Sequence, residues 1–102
     1  MHVRKHDNIK EIRIDKLERL CVMPDEQNFS FIWRSAMEVH WDEKGKFLYS
    51  PKPREWSYFD WYRQILDATK DEYGCCLVLT NETSWIDIPI ALKEQILSYV
   101  HS

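Results

Sequence analysis

A chain of 102 residues is long enough to bury one hydrophobic core and too short for two, so residues 1–102 read as a single domain. Hydrophobic residues make up 44% and charged residues 30%, an ordinary globular balance that excludes a disordered or fibrous chain. The net charge of −3 comes without a long basic stretch, which argues against a nucleic-acid partner.

The charged start, Met1 to Asp7, lacks the apolar core of a secretory signal, and no run approaches the ~20 apolar residues of a membrane span. The expectation is a cytoplasmic protein with no membrane contact. Three cysteines, Cys21, Cys75 and Cys76, are an odd number with two of them adjacent, a poor basis for a disulfide framework. In the first 20 residues Arg4, Lys5, Lys10, Arg13, Lys16 and Arg19 interleave with Asp7, Glu11, Asp15 and Glu18, the pattern of a mixed-sign solvated surface.

Taken in chain order, Ile12 and Ile14 alternate with charged Arg13 and Asp15, and after the interval 15–18 Leu20 and Val22 alternate with Arg19, Cys21 and Met23, which predicts a β-hairpin ended by Pro24. Phe29, Phe31, Trp33, Ser35, Met37, Val39 and Trp41 then occupy every second position, which predicts one long strand with that set inward. Its other face carries Ser30, Ile32, Arg34, Ala36, Glu38, His40 and Asp42. The run 42–46 supplies a turn in which Gly45 is free to take positive φ, and Phe47, Leu48 and Tyr49 return as a partner strand.

Pro51 and Pro53 bracket an extended passage. Ser57 and Asp60 have capping-box spacing, and a helix follows with Tyr58, Phe59, Tyr62, Ile65, Leu66, Thr69 and Tyr73 on one side, ending at Gly74. Trp56, before the first turn, and Trp61, on the flank of the apolar stripe, are expected to be partly exposed. The apolar run 75–80 suits a central strand covered on both faces. Asp87 and Pro89 open a last helix with Leu92, Ile96, Tyr99 and Val100 inward. The predicted fold is α+β: a mainly antiparallel five-stranded sheet, β-β-β-β-α-β-α, with two helices packed on one face.

Candidate chemistry is sparse. Glu38, His40 and Asp42 share a face of the predicted long strand with Arg34, a spacing that could serve acid–base or metal-assisted hydrolysis. The plainer reading of the same residues is a solvated sheet face, since a metal needs three or four ligands and the remainder cannot be pointed to. Gly45 and Gly74 are the only glycines, so no glycine-rich phosphate loop exists, no short catalytic signature is present, and no cofactor is implied. Cys75 and Cys76 point to opposite faces of their strand and read as small core or boundary residues.

What stands out is an aromatic surplus: five tryptophans and 14% aromatic residues exceed what a small core readily encloses with every indole N–H paired. Trp33 and Trp41 are explained by their alternation. Trp56 and Trp61, with Tyr49, Arg54, Trp85, Arg34 and His40, form the candidate binding set. The leading expectation is a non-enzymatic binding or protein-interaction domain that self-associates, as a dimer, through an aromatic patch. The alternative is a pocket for a small apolar ligand between sheet and first helix, walled by Trp33, Trp41, Tyr62 and Trp85.

Overall fold

The computed structural model describes residues 5–32 and 38–99. Trp33, Arg34, Ser35, Ala36, Met37 and Val100 lie outside the described residues. Strands β1 (Lys5–Ile14) and β2 (Leu20–Pro24) form the expected antiparallel hairpin, with Ile14 opposite Leu20 and Ile12 opposite Val22. Strand β1 starts well before the predicted hairpin, inside the mixed-sign segment, because a register shift between Ile9 and Glu11 changes which residues point inward. Before the shift Asp7 and Ile9 are buried, and after it Ile12 is. One extra residue in a strand reverses the alternation, so the full strand has no single period of two.

The hairpin turn is organised by one carboxylate. Asp15 accepts hydrogen bonds from the backbone N–H of Leu17 and Arg19, each at 3.0 Å, and from Arg19 Nε at 2.8 Å, and it pairs with the Arg19 guanidinium at 2.7 Å. Burial pushes the Asp15 carboxyl up, but the hydrogen bonds from Arg19 and Leu17 and the Arg19 charge outweigh it, so it titrates below the ordinary carboxylate value.

The predicted long strand over Phe29–Trp41 is not what the chain forms. Residues 25–32 make bends and a turn, with the Ile32 N–H donating to the Phe29 carbonyl at 3.1 Å, and among the described residues of this stretch regular strand is confined to β3 (His40–Asp42). Phe29 and Ile32 are both fully buried whereas Phe31 is 53% exposed, so Ile32 and Phe31 have exchanged their expected sides. Buried Asp7 holds this loop to β1 by accepting from the N–H groups of Glu26 and Gln27, and Tyr73 accepts from the Phe31 N–H at 2.8 Å.

Strand β4 (Phe47–Tyr49) pairs with β3 and β2 as the second hairpin requires. In its turn the positive φ falls on Lys46, at 59°, rather than on Gly45. Gly45 is favoured for space instead: a Cβ there would run into the Phe47 ring.

Helix α1 (Tyr58–Tyr73) has the capping box its sequence announced, with Ser57 Oγ accepting from the Asp60 N–H and the Asp60 carboxylate accepting from the Ser57 N–H, each at 3.1 Å. It ends at Gly74 in the left-handed region, φ 62°. Strand β5 (Cys75–Val78) pairs in parallel with Lys5–Asn8 of β1, and β6 (Ser84–Ile86), not expected from the sequence, pairs in parallel with Glu11–Arg13. The sheet is therefore six-stranded and mixed, ordered β3-β4-β2-β1-β5 with β6 beside β5 along β1. Strand β5 lies at the edge rather than the centre: Cys75 and Leu77 are buried, but Cys76 and Val78 are only half-buried. Helix α2 (Ile90–Ser98) buries Leu92 and Ile96 as expected. The buried residues of both helices join the cluster built on Ile12, Val22 and Leu48, while the buried outer-face residues Cys21 and Phe47 stand apart from it. Among the described residues no helix is long and apolar enough to cross a membrane.

Between β5 and β6 the chain leaves β1 for residues 79–83, and Thr83 bridges the gap. Its buried hydroxyl donates to the Ile9 carbonyl at 2.6 Å and accepts from the Thr80 N–H at 3.0 Å. Thr83→Val keeps the shape and deletes the donor, and is expected to lower unfolding free energy by about 1–3 kcal/mol in urea titrations, with Thr83→Ser retaining most of it. Asp15→Asn is expected to cost about 1–2 kcal/mol at neutral pH. Because the folded carboxyl has the lowered pKa, its contribution is complete above the unfolded value of about 3.9 and fades as pH falls through the folded one. The stability gap between wild type and Asp15→Asn should therefore be constant near neutrality and close in acid.

Candidate functional site

The binding set expected from the sequence divides into separate places. Tyr49 and His40 face each other across β4 and β3, their rings stacked with centroids 5.2 Å apart, and the Arg19 guanidinium lies over the Tyr49 ring at 4.3 Å. The row continues through Cys21 to Arg13, which lies over Phe47 at 5.6 Å. This outer sheet face is an ordered layer of aromatic rings and guanidinium groups. Arg54 is elsewhere, in a 3.7 Å ion pair with Glu38. Trp85 packs against the core beneath the Lys93 ammonium, 5.2 Å from its ring. Arg34 lies outside the described residues.

The constellation of Glu38, His40 and Asp42 rested on a regular strand, and that premise fails. Glu38 sits in a turn at φ 68°, and the Asp42 carboxylate is taken up by the backbone N–H groups of Lys44 and Gly45 at 3.0 and 3.1 Å. Among the described residues no three His, Cys, Asp or Glu side chains are grouped so as to hold a metal. Of the walls expected for an apolar pocket, Trp33 lies outside the described residues, Tyr62 is fully buried in the core and Trp41 stands edge-to-face with Phe29 at 5.8 Å.

Trp56 is where surface and cavity coincide. Its indole is 46% exposed and rests on Trp61, ring centroids 4.8 Å apart. Trp61, expected at the surface, is only 7% exposed, because the apolar stripe of α1 is wide enough to draw in its flank. Beside Trp56 opens a groove of about 410 Å³ lined by Trp56, Asp60, Arg63, Gln64, Asp67 and Tyr99. Four of these recur at helical spacing, i, i+3, i+4 and i+7, and form one polar stripe of α1. Tyr99, at the end of α2, is set by edge-to-face contacts with Phe59 at 5.6 Å and Tyr62 at 6.3 Å.

Within the groove Asp60 and Arg63 pair at 2.6 Å, and the Arg63 guanidinium also lies 5.1 Å over Phe59. The hydrogen bonds from Ser57 and the Arg63 charge hold the Asp60 carboxyl below its ordinary range. The sequence singled out Trp56 but not Asp60, Arg63, Gln64, Asp67 or Tyr99. The first four lie opposite the apolar stripe of the helix, where polar residues are ordinary, and the position of Tyr99 depends on how α2 packs.

The family model of the Integron Cassette Protein Hfx_Cass5 matches residues 7–83, a span that includes Trp56 and the α1 side of the groove. Among solved structures, the chain is similar to the integron cassette protein Hfx_Cass5 from the mobile metagenome of the North West Arm sewage outfall. The two are 41% identical over 90% of this chain and 92% of that one, with a TM-score of 0.48. No curated protein matches the chain.

The outer sheet face carries one group whose reactivity can be checked. Cys21 is buried, and its Sγ lies 3.7 Å from the Asp15 carboxylate. Burial, reinforced by that negative charge, pushes the thiol up to about 12. Cys21 is expected to resist alkylation in the native protein even near pH 8, where an ordinary thiol reacts readily, and to be modified only on unfolding. Peptide mapping by mass spectrometry checks this; labelling of native Cys21 at the unfolded rate would contradict the assignment.

Proposed function

Taking as premise that the chain belongs to the family of the integron cassette protein Hfx_Cass5, we propose that it is a small non-enzymatic binding domain that recognises a polypeptide partner through Trp56 and the adjoining groove. The observation that carries this reading is the coincidence of a half-exposed indole with a cavity of about 410 Å³. A tryptophan at a rigid surface offers a large contact area at little conformational cost, which is why this residue recurs as an anchor at interfaces.

The supporting frame is stiff. Trp61 backs the exposed ring from inside the core, the capping box fixes the first turn of α1, and Pro51 and Pro53 restrict the approach to it. A partner would meet a surface already in its binding shape, and little ordering entropy would oppose association.

Selection of displayed peptides against the wild-type domain, followed by titration, tests the reading. Peptides that bind wild type should lose about tenfold or more in affinity for Trp56→Ala, the order expected for an interface anchor. Unfolding free energy should fall by no more than about 1 kcal/mol, since the indole is half-exposed. Selected peptides that bind wild type and Trp56→Ala equally would place recognition elsewhere.

A further inference from the structure

Resting on the reading of the Trp56 groove as a recognition site, we infer that its occupant is a basic side chain, lysine or arginine, presented by the partner polypeptide. The groove's charges lead to this. Two aspartates and one arginine line it, and Asp60 and Arg63 compensate each other at 2.6 Å. Asp67 is left as the uncompensated charge, exposed on α1 and without an ion pair or hydrogen bond among the described residues. Arg63 is a poor receptor for an anion, since its guanidinium is already shared between the Asp60 carboxylate and the Phe59 ring.

Trp56 and Tyr99 add to the selection of charge. Aromatic rings attract cations through the negative potential of their faces, and tryptophan does so most strongly. A lysine or arginine side chain matches both parts, its aliphatic stem lying on indole or phenol and its charged end reaching the carboxylate. An uncharged apolar group of the same length would desolvate Asp67 without offering it a partner, which costs free energy. The volume of about 410 Å³ exceeds what one long side chain needs, which fits a side chain delivered together with part of the backbone that bears it. The chain's net charge of −3 favours approach of such a segment.

The test uses three short capped peptides that differ only at a central lysine, arginine or norleucine, titrated into the isotopically labelled 102-residue chain while the Trp56 indole N–H is followed by NMR. The lysine and arginine peptides are expected to move that signal in a saturable way, more weakly as salt is raised, and the norleucine peptide to leave it in place. Asp67→Asn should weaken the basic peptides about tenfold, the loss of a charge-assisted contact. Because Asp67 is exposed, the dispersion of the same spectra verifies that the variant is folded. If norleucine binds as well as lysine, or if Asp67→Asn binds the basic peptides undiminished, the charge preference is overturned while the groove remains a binding site. If none of the three moves the Trp56 signal, the preference falls together with the reading it rests on.

Discussion

The hydrogen bond from the Thr83 hydroxyl to the Ile9 carbonyl is the contact on which the sheet's topology turns. Strand β1 is paired on both edges: β2 runs antiparallel along one, while β5 and β6 share the other in parallel. The change from β5 to β6 coincides with the register shift against β2 between Ile9 and Glu11. At that level neither parallel strand has a pairing with Ile9, and a buried carbonyl left without a donor would cost about 1–3 kcal/mol. A side-chain hydroxyl makes up the deficit, so the chain can leave β1 after Val78 and rejoin it at Ser84 without opening the core.

Several elements are legible because their signals are local. The hairpin of β1 and β2, the turn between β3 and β4, and both ends of α1 follow from residues close together in sequence, and Ser57, Asp60 and Gly74 serve as their spacing implies. The strand read over Phe29–Trp41 failed for an equally physical reason. Alternation of apolar residues is a necessary mark of a half-buried strand, not a sufficient one. A turn that brings Phe29 and Ile32 to the same side buries both while leaving Phe31 out. What holds that loop down is the Asp7 carboxylate, 19 and 20 residues away from the amides it receives, and no local pattern advertises such a contact. Strand β6 was missed because three residues, Ser84, Trp85 and Ile86, are too few to establish a period.

The aromatic surplus resolves along the same lines. Tyr62 and Trp61 go to the core, Phe29 joins Trp41 and Tyr73 in edge-to-face contacts, and Tyr49 is enclosed between Arg19 and His40 on the outer sheet face. The two indoles that the sequence set aside as surplus form one packed pair of different character: Trp61 is the buried support and Trp56 the exposed ring it carries. The rest of the groove was not legible. Asp60, Arg63, Gln64 and Asp67 acquire their common setting only when α2 brings Tyr99 to the far side of the same helix.

That arrangement also explains why a half-exposed tryptophan is tolerable in so small a domain. An isolated exposed indole is an aggregation liability, but here the surrounding surface is strongly polar, with Asp60, Arg63, Gln64 and Asp67 breaking the apolar area into pieces. A polar surround makes non-specific hydrophobic contact with the ring unfavourable. Asp60 illustrates the economy of the design. Its carboxylate caps α1 through the Ser57 N–H and at the same time holds Arg63, so the group that starts the helix also neutralises the one cation among the described residues lining the groove. The charge left over at Asp67 follows from the requirement to cap α1, and the binding preference inferred for the groove follows from that charge.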